Sequence, residues 1–226
     1  MTISVVIPVF REEALINDAI GRLRGMAFDK ALEIIVVDGS EEGGTLRAVA
    51  DSSAKSILSP RGRAIQMNAG AKAAGGDVLL FLHVDTELPA DGLERISSAM
   101  ELGHFVGGAF DLGIADRGLA YRIIERAASL RSRLTRIPYG DQAIFFKRDY
   151  FLRIGGYRPL PVMEDVDLMR RVKKRGDRIH LIDEKVKTSS RRWRKEGIAR
   201  CTLRNWTIMA LYLLGVPPGR LAKHYP

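Results

Sequence analysis

A chain of 226 residues, 46% apolar and 28% charged, has the balance of an ordinary folded protein, which excludes a disordered segment and a polytopic membrane protein. Its 36 basic and 27 acidic residues leave a net charge of +9, which favours anionic partners such as nucleotides, nucleic acid or an acidic membrane surface without choosing among them. The single cysteine, Cys201, excludes an intrachain disulfide and a four-cysteine zinc site and fits a reducing compartment, so a cytoplasmic location is expected.

The opening MTISVVIPVF has neither the basic start nor the apolar length of a signal peptide and reads as a strand over Ile3 to Val9. The strand runs into PVFREE and then a helix whose apolar face is Leu15, Ile16, Ala19, Ile20 and Leu23. Glu33 to Val37 repeats the pattern, ending at Asp38, Gly39 and Ser40, with Thr45 placed to cap a short helix through Ala50. A brief strand around Ile57 precedes a helical segment within Arg61 to Gly76. Val78 to Leu82 is a continuous apolar run, which suits a strand buried on both faces of a parallel sheet. Its carboxyl end presents His83, Asp85, Thr86 and Glu87, and ligands of open α/β sheets bind beyond such ends. Asp85 therefore stands where a metal or a phosphate-bearing ligand would sit, or it caps the turn before the helix after Pro89.

The second half is mixed rather than alternating. A helix over Asp91 to Leu102 leads to strands around Gly108 to Leu112 and Ala143 to Phe146, with a helix from Leu119 to Leu134 between them. Asp149 is placed to cap a short helix before Gly155 and Gly156, a pair that lets backbone approach a ligand or merely makes a turn. MEDVDLMRRVKKR, Met163 to Arg175, is a helix with acids at its start. Asp165 lies three, four and seven residues before Leu168, Met169 and Val172, so it shares their face and points inward or into a cleft. Asp167 falls on the opposite side with Arg170, Arg171 and Lys174. The alternative is that Glu164 and Asp165 only complement the positive helix N-terminus, worth about 0.3 to 1 kcal/mol. The tail carries SSRRWRK and then an amphipathic helix from Glu196 to Leu214, whose apolar portion is shorter than the about 20 residues that span a bilayer. It is a core helix or an interfacial one.

In order, PVFREE, VVDGS, RGRAIQMNAGAKAAGGDVLLFLHVDTELP, GDQAIFFKRDYFLRIGGY and MEDVDLMRR resemble the motif set of family 2 glycosyltransferases, over most of residues 2 to 183. LLFLHVDTELP with RRW near the tail looks most like a short bacterial branch of that family. The resemblance implies an α/β, Rossmann-like GT-A fold: a mostly parallel central sheet flanked by helices, with a C-terminal helical appendage. It also implies one domain, with residues 1–89 as nucleotide-binding half, 90–188 as acceptor and catalytic half, and 189–226 as a basic helical tail. Its activity would be inverting transfer of a hexosyl group from a nucleotide-diphosphate sugar, a UDP-sugar in preference, to a hydroxyl.

By the same resemblance Pro8, Phe10 and Glu12 meet the base and ribose, Asp38 accepts a hydrogen bond from the base, and Arg63 meets the nucleotide. Asp85 is the metal-binding acid of the DxD motif, holding Mg2+ or Mn2+. The first acid of that motif is His83 here; a neutral imidazole ligates Mn2+ or hydrogen-bonds a ribose, and removes one negative charge, leaving metal dependence open. Many relatives carry a histidine beyond the base that helps the metal, and Lys187 to Arg192 has none. Asp165 corresponds to the general base, beside Glu164. Gly140, Asp141, Gln142, Gly155 and Gly156 line the donor-sugar and acceptor side, while Arg191, Arg192 and Trp193 meet the diphosphate or a lipid-linked acceptor, or form a solvated basic face. The acceptor is lipid-linked or a saccharide, with peripheral contact to the inner face of the membrane through the tail.

Other readings stand beside this one. A basic nucleic-acid-binding protein is supported by charge alone, since no recognition signature stands out, and nucleic acid is not the expected partner. A sugar-nucleotide pyrophosphorylase should carry a glycine-rich loop after its first strand, and PVFREE offers no glycine. A non-catalytic relative that only binds nucleotide-sugar is the reading His83 keeps open.

Overall fold

The computed structural model describes residues 1–224. Strands β1 (Ile3–Val9), β2 (Leu32–Asp38), β3 (Lys55–Leu58) and β4 (Val78–Phe81) lie parallel in the order β3-β2-β1-β4, with α1 (Glu13–Arg24), α2 (Gly44–Ala48) and α3 (Arg63–Ala73) in the crossovers. The apolar runs of β1, β2 and β4 are continuous because both faces of the sheet are covered there. Ile3, Val5 and Ile7 pack into one core with Ile16, Ala19, Ile20 and Leu23 of α1, whereas Val6, Ile35 and Val37 face Ala64, Met67 and Ala71 of α3. Each such aliphatic side chain contributes about 1.5 to 3 kcal/mol on burial. Helix α3 closes onto the sheet at Gly70, where a Cβ would collide with Val6.

The second half adds β5 (Thr86–Glu87), α4 (Gly92–Glu101), β6 (Gly107–Ile114), α5 (Leu119–Thr135), β7 (Phe145–Lys147), α6 (Arg148–Arg153), α7 (Glu164–Lys174) and β8 (Ile179–Thr188). The sheet continues from β4 through β7, β6 and β8 to β5. Strand β7 is antiparallel to both β4 and β6, and β8 is parallel to β6. The mixed character expected of this half is thus localised to β7 and the small edge strand β5. Strand β8 has no counterpart in the sequence reading: IHLIDEKVKT carries four charges from Asp183 onward, and Asp183 and Glu184 fall at an irregularity opposite Phe110 and Asp111.

Three helix starts differ from expectation. Gly43, with φ +62, precedes α2, while Thr45 is buried and its hydroxyl accepts the Glu12 amide at 3.0 Å, so Thr45 braces a loop rather than capping the helix. Asp149 lies inside the first turn of α6, not at its cap. The tail helix begins earlier than Glu196, as α8 (Arg191–Glu196), breaks at Gly197 with φ +86, and resumes as α9 (Ile198–Leu213), followed by α10 (Pro218–Leu221). Glycine adopts that positive φ without the Cβ clash other residues meet. Ile208 and Leu221 pack on Val162 just before α7, so the tail folds back over the segment that leads into α7.

Candidate functional site

Beyond the carboxyl ends of β1 and β4 lies a cleft of about 910 Å³, bounded by the loop before α3, the start of α7 and the tail. Pro8, Phe10 and Glu12 reach it from the end of β1, Arg61 from the opposite loop and Arg63 from the start of α3. The Arg61 guanidinium sits over the Phe10 ring at 4.3 Å, forming a flat cationic and aromatic surface. Gln66, which the sequence reading passed over, donates to Val9 O at 2.7 Å and Val37 O at 2.8 Å and so ties the ends of β1 and β2 together. Its signal was an amide on the buried side of a helix.

Asp38 does not reach this surface. It is fully buried, and its two oxygens accept the amides of Ser40 at 2.8 Å and Thr45 at 3.1 Å, shaping the loop behind Glu12. Gln142 is likewise inside: it accepts from Ser132 Oγ at 2.8 Å and the Tyr139 amide at 3.1 Å, and donates to Phe110 O at 2.9 Å. It anchors the turn that presents Gly140 and Asp141. Gly155 and Gly156 lie off the cleft, in a positive-φ turn after α6 held by Asn68 on Tyr157 and by Arg171 on the Ile154 carbonyl at 2.9 Å. The turn reading of that pair is the one the geometry favours.

The acids of α7 sort differently from the helix-wheel expectation. Asp165 does face the cleft, its Oδ2 accepting the Gly140 amide at 2.6 Å and its Oδ1 the Val166 amide at 2.7 Å. Each oxygen keeps lone-pair capacity. Asp167, expected outward, is buried, because Arg158 at 3.2 Å and Arg171 at 2.9 Å close over it. Glu164 is buried beside Arg63 at 3.5 Å, and burial, aided by Asp165 and opposed by Arg63, pushes its carboxyl up to about 7. Burial pushes Asp141 up to about 6, with Arg131 opposing and Asp165 adding.

Gly140 is where His83 and Asp165 meet. A Cβ built there would lie 3.3 Å from His83 Nε2, which would have to give by a few tenths of an ångström, and 3.4 Å from Asp165 Oδ2, at the edge of ordinary contact. His83 is neutral: burial and the charges of Arg63 and Arg192 hold its pKa down to about 3 against the pull of Asp85.

The tail supplies the last wall, with Arg191, Arg192 and Trp193. Strand β5 pairs with Thr188 and Lys187, and the Ser189 amide donates to Asp85 O at 3.1 Å, which brings the start of α8 to Asp85. The Arg191 guanidinium then lies 3.1 Å from Asp85 Oδ2 and 3.5 Å from Glu12. Asp85 is thus an ion-pair partner in the cleft, not a cap for the turn before α4. The donor set around it does not fit a divalent cation held by the protein. Asp85 and Glu12 are both engaged by Arg191, His83 stands in the field of Arg63 and Arg192, and no group of three or more His, Cys, Asp or Glu side chains among the described residues is arranged to hold an ion.

A sheet of this order with a cleft at its carboxyl edge is an α/β fold of the kind that binds ligands at that edge, and the comparisons give it a family. The sequence matches the family model described as "Glycosyl transferase family 2" over residues 4–161, and the chain belongs to that family of enzymes. A solved structure of S. aureus TarS, residues 1-349, superposes with a TM-score of 0.64 at 18% identity, covering 84% of this chain and 61% of that 1-349 chain. The mannosyltransferase PcManGT from Pyrobaculum calidifontis, in complex with GDP-Man and Mn2+, gives a TM-score of 0.64 at 19% identity over 83% of this chain and 56% of its own. Both carry the GT-A fold, which is the fold of this chain. The undecaprenyl-phosphate 4-deoxy-4-formamido-L-arabinose transferase of Aeromonas hydrophila subsp. hydrophila is 27% identical over 159 residues, 65% of this chain. The chain spans about half of that transferase, 49% of its length.

Proposed function

We propose that this glycosyltransferase moves a sugar from a nucleotide-diphosphate sugar, a UDP-sugar in preference, to an acceptor hydroxyl with inversion at the anomeric carbon. The observation that carries the reading is Asp165: a carboxylate facing the cleft and oriented by two backbone amides. In one step the acceptor hydroxyl gives its proton to Asp165 while its oxygen bonds to the anomeric carbon from the face opposite the diphosphate, and the bond from that carbon to the diphosphate oxygen breaks. Phe10 and the flat surface made with Arg61 take the base, Glu12 and Pro8 border the ribose, and Arg63 and Arg192 offset diphosphate charge. In this reading residues 1–89 hold the donor, 90–188 carry the base, and 189–226 close the cleft. The expected Mg2+ or Mn2+ at Asp85 has no step here, because Arg191 holds that carboxylate.

The acceptor we propose is lipid-linked. Helix α9 lines the cleft with Asn205 and Met209 while exposing Leu203, Trp206 and Leu213, and α5 exposes Leu119, Ile123, Leu130 and Leu134. Among the described residues no helix is long and apolar enough to cross a membrane, so contact through α9 would be peripheral. A protein named for transfer to undecaprenyl phosphate among the relatives supports the same direction.

The test is transfer from UDP- and GDP-sugars by the wild type and by Asp165→Asn. Loss of about 10²- to 10⁴-fold in turnover with donor affinity retained is the expected result. Full turnover in the variant would remove Asp165 as base, and nucleotide binding without turnover on any acceptor would return the protein to a binding role.

A further inference from the structure

Resting on the donor reading above, we infer that Arg191 is the cation of this site: its guanidinium takes the place of a divalent ion between Asp85 and Glu12 and neutralises the departing diphosphate. Three observations converge on this. The guanidinium reaches both acids at the cleft, 3.1 Å from Asp85 and 3.5 Å from Glu12, across 106 and 179 residues of sequence respectively. The backbone is built to bring it there, through the pairing of Thr86 with Thr188 and the bond from the Ser189 amide to Asp85 O at 3.1 Å. The position occupied by the first acid of a two-acid motif holds His83 instead, so a divalent ion would meet one carboxylate fewer.

Folding stability does not explain the arrangement. Arg191 is 54% exposed, and pairs of that kind contribute about 0 to 1 kcal/mol. An arginine fork matches phosphate oxygens bidentately, with five N–H donors to share between the carboxylates and the ligand. As the bond from the anomeric carbon to the diphosphate breaks, its electron pair stays on the leaving oxygen, and the guanidinium N–H groups meet that charge. No proton leaves Arg191 and no further reactant is needed.

Calorimetric titration of UDP and GDP into wild type, Arg191→Ala and Arg191→Lys, each with Mn2+ and with EDTA, tests this. The wild type should bind one nucleotide about equally in both conditions. Arg191→Ala should lose about tenfold in EDTA and recover part of it with Mn2+, because Asp85 and Glu12 are then released to an ion. Arg191→Lys should fall between, keeping the charge without the fork, and thermal melts check that the variants fold. Wild-type binding that requires Mn2+, or Arg191→Ala binding as tightly as wild type in EDTA, would overturn the assignment while leaving the transferase reading intact. Absence of nucleotide binding by the wild type in either condition would overturn both.

Discussion

The two walls of the cleft are built differently. The wall that carries Asp165 is anchored from behind: Gln142 links the turn at Gly140 to β6 and α5 through buried hydrogen bonds, and Leu168, Met169 and Val172 of α7 lie in the core. The wall that carries Arg191 is a six-residue helix ending at a positive-φ glycine, with no buried residue and with exposed ion pairs such as Arg194 to Asp116 at 2.8 Å. A general base must be held to a fraction of an ångström, whereas a charge clamp must admit and release a ligand. On the roles proposed for Asp165 and Arg191, the difference in packing follows that division of work.

The comparison can be broken most severely on the anchored side. Asp165→Asn should cost about 10²- to 10⁴-fold in turnover. Gly140→Ala should lower turnover by up to about tenfold by shifting His83 a few tenths of an ångström beside Asp165, with the melting temperature nearly unchanged, as steady-state kinetics and calorimetry would show. Gln142→Ala should instead act through stability, leaving the Tyr139 amide without its acceptor and the Phe110 carbonyl without its side-chain donor at about 1 to 3 kcal/mol, read from denaturant unfolding.

A pH series sharpens the same contrast. Burial raises the Glu164 carboxyl from 4.5 to about 7, so between those values the native state holds a proton that the unfolded chain has released. Stability contributed at low pH is therefore lost as pH rises through that window, and it is flat above it. Glu164→Gln should remove this slope, measured as melting temperatures from pH 5 to 8. On the tail side the effects are smaller. Arg194→Ala should change stability by no more than about 1 kcal/mol, and Trp206→Ala should weaken binding to vesicles of anionic lipid by a few fold without altering turnover on a soluble acceptor.

What could be read in advance follows the range of the forces involved. The alternation of β1, β2 and β4 with α1 and α3 was legible because their apolar runs are local, and Asp165 was legible because three core residues of its own helix fix its direction. Asp167 was misjudged for the complementary reason: it is covered by Arg158 and by Arg171, and a wheel sees only its own helix. Asp38, Gln142, Gly155 and Gly156 carry motif positions without cleft positions, since a motif residue can act by shaping the loop next to the ligand. Strand β8 and the Arg191 contact were invisible because both depend on pairing across long stretches of chain, β8 with β6 and Arg191 with an acid 106 residues away.

The central claim is a single displacement with Asp165 as base, and the anomeric configuration of the first product tests it most directly. Once the donor is found by nucleotide binding, slow transfer to water gives a free sugar whose initial anomer is read by proton NMR before it equilibrates. The account predicts the configuration opposite to that of the donor, with the signal lost in Asp165→Asn. A product that first appears with the donor's own configuration would contradict it.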